Sequence, residues 1–177
     1  MLKPQDCIIL LKLLANPETN WSQRQLAETL CISLSEINGG IKRLVSAGLL
    51  RKLHAQSSQV IPVISASEEF FVHAIKFIFP EKLGEYTRGT PTAIAAPIFK
   101  NKISLGNAPV PVWPDAQGKE RGVALLPIHP SVIKALKTHP DQKFYDLLAI
   151  VDVIRQGGAR ERNLAIQLLK DRLKHEK

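Results

Sequence analysis

Apolar positions in the first third of the chain fall at helical spacing. Residues 7–15, CIILLKLLA, are almost unbroken apolar sequence and predict a first helix over about residues 5–15, buried on most sides. Pro4 suits its start, and Asn16-Pro17 ends it, because a residue preceding proline is pushed out of the helical region. Leu26, Ala27 and Leu30 predict a second helix over 23–30, and Ile37, Ile41, Leu44 and Val45 a third over 34–47. Both carry a start signal. Ser22 precedes Gln25 by three residues and Ser33 precedes Glu36 by three, two capping boxes. Each is flanked by an apolar pair placed for a hydrophobic staple, Trp21 with Leu26 and Ile32 with Ile37. Gly48 is positioned to end the third helix in the left-handed region. RKLHAQSSQVIPVI then predicts two short strands, 50–54 and 59–63, across the polar turn 55–58.

Two capped helices across a tight turn, followed by a hairpin, make a helix-turn-helix with a wing. On WSQRQLAETLCIS and IKRLVSAGLL, residues 5–64 resemble the winged helix-turn-helix regulators of the MarR-like kind. The resemblance covers about a third of the chain and specifies a module shared by many regulators. It implies a transcriptional regulator, a repressor reading two half-sites as a dimer, under control of a small molecule or a protein. The chain departs from the usual pattern at Asn38-Gly39-Gly40, where such helices carry bulkier polar residues. Each mid-helix glycine costs about 1 kcal/mol relative to alanine.

After Val63 the pattern changes. Phe70, Phe71, Ala74, Ile75, Phe77 and Ile78 predict an apolar helix over 68–79, capped by Ser67 and stopped by Pro80, with His73 as a core histidine. Eight of the twelve prolines lie between 80 and 130, which leaves little room for helix. The segment is too apolar for a disordered linker and reads as an ordered, extended connection, in which 109–113 pairs with 122–126. Three helices follow, 131–138, 141–156 and 159–174, the last two an αα-hairpin about Gly157-Gly158. The fold class is therefore mainly α with small β. The expected units are a DNA-binding domain (1–64), an apolar helix with a Pro-rich connection (65–130) and a C-terminal helical region (131–177). The apolar faces of 68–79 and 141–174 are the expected homodimer interface.

Charge narrows the partner. The net charge of +8 and pI near 9.7 favour a polyanion. The excess is +3 over residues 1–64, +1 over 65–130 and +4 over 131–177, so it sits at both ends. No apolar run approaches the roughly 20 residues that span a bilayer. No small-residue cleavage site follows the N-terminal apolar run, so a cytoplasmic protein without membrane contact is expected. Cys7 and Cys31 suit packing positions and a reducing compartment.

The side chains expected to meet double-stranded DNA lie on the outer face of the module. Ser35 and Asn38 are placed for base edges, with Gly39 beside them. Lys42 and Arg43 are placed for phosphates, Ser22, Gln23 and Ser33 at helix starts where N–H groups favour a phosphate, and Arg51, Lys52, His54 and Gln56 on the wing. Catalysis has little support. His54, His73, His129, His139 and His175 are scattered, no C-x-x-C occurs, and Asp141, Asp146 and Asp152 sit at spacings that do not align them. No catalytic residue, metal or cofactor is expected. Residues 89–97, GTPTAIAAP, lack the second glycine and Lys-Ser/Thr ending of a phosphate loop and suit a buried irregular crossing. Arg155, Arg160 and Arg162 read as a solvated turn paired with Asp152 and Glu161. Trp113, Phe99 and Tyr86 could shape an effector pocket. Two other readings stay open: a protein-interaction adaptor or antitoxin-like half of a pair using the module as scaffold, and an enzyme with a site in the Pro-rich middle.

Overall fold

The computed structural model describes residues 1–174; His175 lies outside them. The chain is mainly helical with two small sheets. Helices α1 (Pro4–Ala15), α2 (Gln23–Leu30) and α3 (Leu34–Ser46) form as their caps dictate. The Gln25 N–H donates to Ser22 Oγ, and the Ser22 N–H to Gln25 Oε1. Ser33 and Glu36 repeat this at α3. Cys31 turns the chain between α2 and α3 in the left-handed region (φ 55°), and Gly48 (φ 76°) ends α3. Strands β1 (Leu50–Lys52) and β2 (Val60–Pro62) pair antiparallel, Arg51 opposite Ile61.

The apolar helix starts earlier than its pattern suggests. It runs as α4 (Ile64–Glu69), a π-helical turn (Phe70–Ala74) and α5 (Ile75–Ile78). Ser67 is a buried interior residue rather than the cap. The π turn accompanies burial of Phe70, Phe71 and Val72 in succession, and His73 is turned out to solvent rather than into the core.

The Pro-rich middle holds a second sheet. Strand β3 (Leu83–Pro91) pairs antiparallel with β4 (Pro111–Pro114) and with β5 (Glu120–Leu125). The expected neighbours β4 and β5 do pair, but in parallel, which closes the three strands on one another. Glycine permits the closure. A Cβ on Gly89 would lie 2.0 Å from the Trp113 carbonyl oxygen, and one on Gly122 would lie 1.8 Å from that of Val110. Of residues 89–97, expected as an irregular crossing, 89–91 end β3 in register with β4, and the irregular part is 92–97, with Thr92, Ala93 and Ala96 buried.

Helices α6 (Val132–Thr138), α7 (Gln142–Gln156) and α8 (Ala159–Lys174) follow. Every residue of α7 from Asp146 to Arg155 is buried, and α1 packs along it. One continuous apolar core runs from Cys7 to Leu173, so the boundaries expected at 64 and 130 are not seams in the packing. Of the apolar faces of 68–79 and 141–174 that suggested a dimer, Phe70, Phe71, Ile75 and residues 146–155 are buried within this chain, while Phe77 and Ile78 stay exposed.

Polar bonds pin the parts together. Lys12, buried in the last turn of α1, donates to Asp141 at 2.7 Å and lies 5.0 Å from the Phe144 ring centre. Asp141 also caps α7. Its burial favours the neutral acid, but the bonds from Lys12, the Phe144 N–H and Asn16 hold its carboxyl below the usual range. Asp152 accepts from Thr92, Trp113 and Arg155, and Arg155 also donates to the Phe79 and Pro80 carbonyls. The expected arginine turn is thus dispersed: Arg155 faces inward, Arg162 donates to the Gly157 carbonyl, and Arg160 is exposed. No helix among the described residues is long and apolar enough to cross a membrane.

Candidate nucleic-acid interface

The outer face of α2, α3 and the hairpin is set by what the inner face buries. Leu26, Leu30, Ile37, Ile41 and Leu44 point into the core. Helical periodicity then places Arg24, Ser35 and Lys42 outside, and all three are exposed. Arg51 and Lys52 on β1, and His54 and Gln56 in the turn, are exposed as well. Among the described residues none of Arg24, Lys42, Arg51 and Lys52 has an ion pair, although six ion pairs form elsewhere. Arg24 was not among the candidates. Its position two residues before Leu26, opposite the buried stripe, was the available signal.

Other candidates are engaged. Arg43 is turned inward: its Nε and Nη2 each donate at 2.8 Å to the carboxylate of fully buried Asp6. This bidentate pair ties α3 to α1, and it removes Arg43 from the phosphate contacts expected of it. Gly39 is half-buried beneath the same guanidinium; a Cβ there would lie 3.2 Å from Arg43 Nη1. Gly40 is packed against α1, where a Cβ would lie 2.5 Å from Ile9 Cδ1 and 2.9 Å from Asp6 Oδ1. The glycine pair therefore serves the α1–α3 crossing.

Asn38 donates to Gln23 Oε1 at 3.2 Å, joining the outer faces of α2 and α3. That bond uses one amide donor of Asn38 and the carbonyl of Gln23, so each keeps hydrogen-bonding capacity for a partner. The hydroxyls of Ser22 and Ser33 serve their caps, and Ser33 also donates to Glu36 Oε2. The Ser33 bonds hold the exposed Glu36 carboxyl below its ordinary range.

The distal part of the chain reaches the same module. Thr138 at the end of α6 lies 3.4 Å from Cys31 Sγ, on the α2–α3 turn. His129 is half-buried beside Ser131 and feels Glu36 at the start of α3. Burial lowers its ring pKa and Glu36 partly opposes this.

Cavities elsewhere offer less chemistry. Trp113 and Phe99 are buried in the core while Tyr86 is 64% exposed, so the three do not shape one pocket. One cavity of about 440 Å³ lies between the 16–19 loop and α7 and α8, another of about 340 Å³ beside Tyr145, and a third of about 540 Å³ beside Gly157. No histidine or cysteine lines any of them. Tyr145, pushed up to about 12 by burial and then by Asp146, donates to the Pro91 carbonyl. Among the described residues no group of three or more His, Cys, Asp or Glu side chains could hold a metal ion. Compared with known proteins, the chain matches no family model, no curated protein and no solved structure.

Proposed function

We propose that residues 4–62 form a winged helix-turn-helix that lays α3 on double-stranded DNA, and that the chain is a sequence-specific DNA-binding regulator. One observation carries this reading. Among the described residues, Arg24, Lys42, Arg51 and Lys52 leave four cationic groups without ion-pair partners on the outer face of two capped helices and their hairpin. In this arrangement Lys42, Arg24 and the β1 pair meet phosphates, which position the protein, while Ser35 and Asn38 reach base edges and specify. The net charge of +8 adds attraction at longer range.

Selection of bound fragments from random duplex DNA at low salt tests the reading. Enrichment of one sequence supports it. Recovery of no enriched sequence refutes specific binding. Four phosphate contacts also imply that log K falls with log salt at a slope of about −3.6.

A second reading, a protein-binding scaffold of the adaptor or antitoxin-like kind, is favoured by Leu34 at the start of α3 and Leu53 beside β1. Each is 48% exposed close to the same face. An apolar partner seated there would bind with little dependence on salt, which separates the two readings.

A further inference from the structure

The small closed sheet carries a charge arrangement that its fold does not require. Arg88 on β3 stands directly opposite Arg121 on β5. Like charges facing each other across an antiparallel ladder repel and weaken the pairing. Both side chains are exposed, and among the described residues neither has an ion pair. Among the described residues the Arg88 guanidinium donates only to the Gly118 carbonyl, at 3.3 Å.

Two positions along β3, on the same face, Tyr86 is 64% exposed, with the Arg121 guanidinium 6.0 Å from its ring centre. Lys119 is exposed in the adjoining loop. The carboxylates nearest in sequence, Glu85 and Glu120, form no bond to either arginine. The backbone beneath is held by close approach: a Cβ on Gly118 would lie 2.4 Å from the Gly89 carbonyl carbon. Two planar forks are thus set side by side on a rigid base, an arrangement suited to phosphate.

The patch is linked to the helix-turn-helix by short contacts. The loop that meets Arg88 holds Lys137 through Asp115 at 2.6 Å and Gln117 at 3.1 Å. Thr138, the next residue, touches Cys31 on the α2–α3 turn. These contacts join the sheet, through α6, to the turn between α2 and α3.

We infer that Arg88 and Arg121, with Tyr86 beside them, form a second nucleic-acid contact that grips backbone phosphates of duplex DNA flanking the segment read by α3. The inference rests on the winged-helix reading above. The phosphates supply the counter-charge that the arginine pair lacks within the chain. The contact adds affinity and footprint length without adding base specificity.

The test uses the full chain and two duplexes carrying the selected sequence. One is trimmed to about 12 base pairs, roughly one helical turn, and one extends to about 35. Arg88→Gln/Arg121→Gln is compared with Lys42→Ala on both. The expected result is that the arginine double variant lowers the salt slope by about 1.8 on the long duplex and leaves the short one unchanged. Arg88→Lys/Arg121→Lys should restore most of that slope. Lys42→Ala should weaken binding to both duplexes. Loss of affinity with an unchanged or higher Tm excludes unfolding as the cause, since the Gln variant relieves a repulsion.

If the double variant binds both duplexes as the parent does while Lys42→Ala does not, the inference is overturned and the winged-helix reading stands. If the double variant loses affinity and Lys42→Ala does not, the sheet contact stands and the α3 face is misassigned. Failure of the parent to bind either duplex overturns both.

Discussion

Replacing Arg43 by alanine separates an anchoring role from a DNA-contacting one. Asp6 is fully buried and accepts three bonds, two from the Arg43 guanidinium and one from the Lys3 N–H at 2.8 Å. Arg43→Ala strips two of the three and leaves a carboxylate in the α1–α3 crossing. Removing one partner of a buried pair costs about 3–5 kcal/mol. The Arg43 side chain is 25% exposed, so water screens part of the interaction. That brings the loss to about 2–3 kcal/mol, or a fall in Tm of roughly 4–12 °C for a chain of this length. Thermal unfolding followed by circular dichroism reads it. Arg43→Lys should recover little, because an ammonium cannot make the bidentate fork. A cycle with Asp6→Asn should give a coupling energy above about 1 kcal/mol. Measured at a temperature where the variant is folded, the salt slope of DNA binding should be unchanged. A Tm shift below about 1 °C together with a slope reduced by about 0.9 would refute the reasoning and make Arg43 a phosphate ligand.

Three further outcomes follow from the packing. Gly40→Ala gains about 1 kcal/mol of helix propensity but places its methyl 2.5 Å from Ile9 Cδ1, so urea unfolding should show a net loss of up to about 2 kcal/mol, against a gain if α1 yields freely. Gly89→Ala meets the Trp113 backbone at 2.0 Å, which cannot shift cheaply, and should cost at least about 1–3 kcal/mol or abolish soluble expression; wild-type stability would contradict the closed three-strand arrangement. The pH profile should have two limbs. His129 has a lowered folded pKa, so its contribution is present above the unfolded value of about 6.5 and is lost as pH falls through the folded one. Asp115 and Asp141 are held below their ordinary range, so their contribution is present above about pH 4 and is lost at more acid pH. His129→Gln should remove the first limb and leave the second, as read by urea midpoints across pH.

The first three helices were legible because their signals are local. A serine three residues before Gln25 or Glu36, and Gly48 after the last apolar position, act within one turn of backbone. Strand β3 was not legible. Residues 83–88, LGEYTR, are largely exposed and present no alternating apolar face, and the strand's pairing depends on Gly89 approaching the backbone of Trp113 and Gly118 far along the sequence. The same reason hid the direction of the β4–β5 pairing. Apolarity located the buried helices but not what buries them: α7 is enclosed by its own chain, whereas an apolar stripe alone reads equally well as an interface between copies. In the candidate interface the charges were visible and their commitments were not. Arg43 and Lys42 are adjacent in sequence, yet one is bound to a carboxylate 37 residues away and the other is free of ion pairs among the described residues.

The most direct test of DNA reading by α3 is the salt dependence of binding to the selected duplex, measured for the parent chain and for Lys42→Ala. Log K should fall steeply and linearly with log salt for the parent, with a slope shallower by about 0.9 for the variant and its sequence preference retained. A parent slope near zero, or a variant slope equal to the parent's, would contradict it.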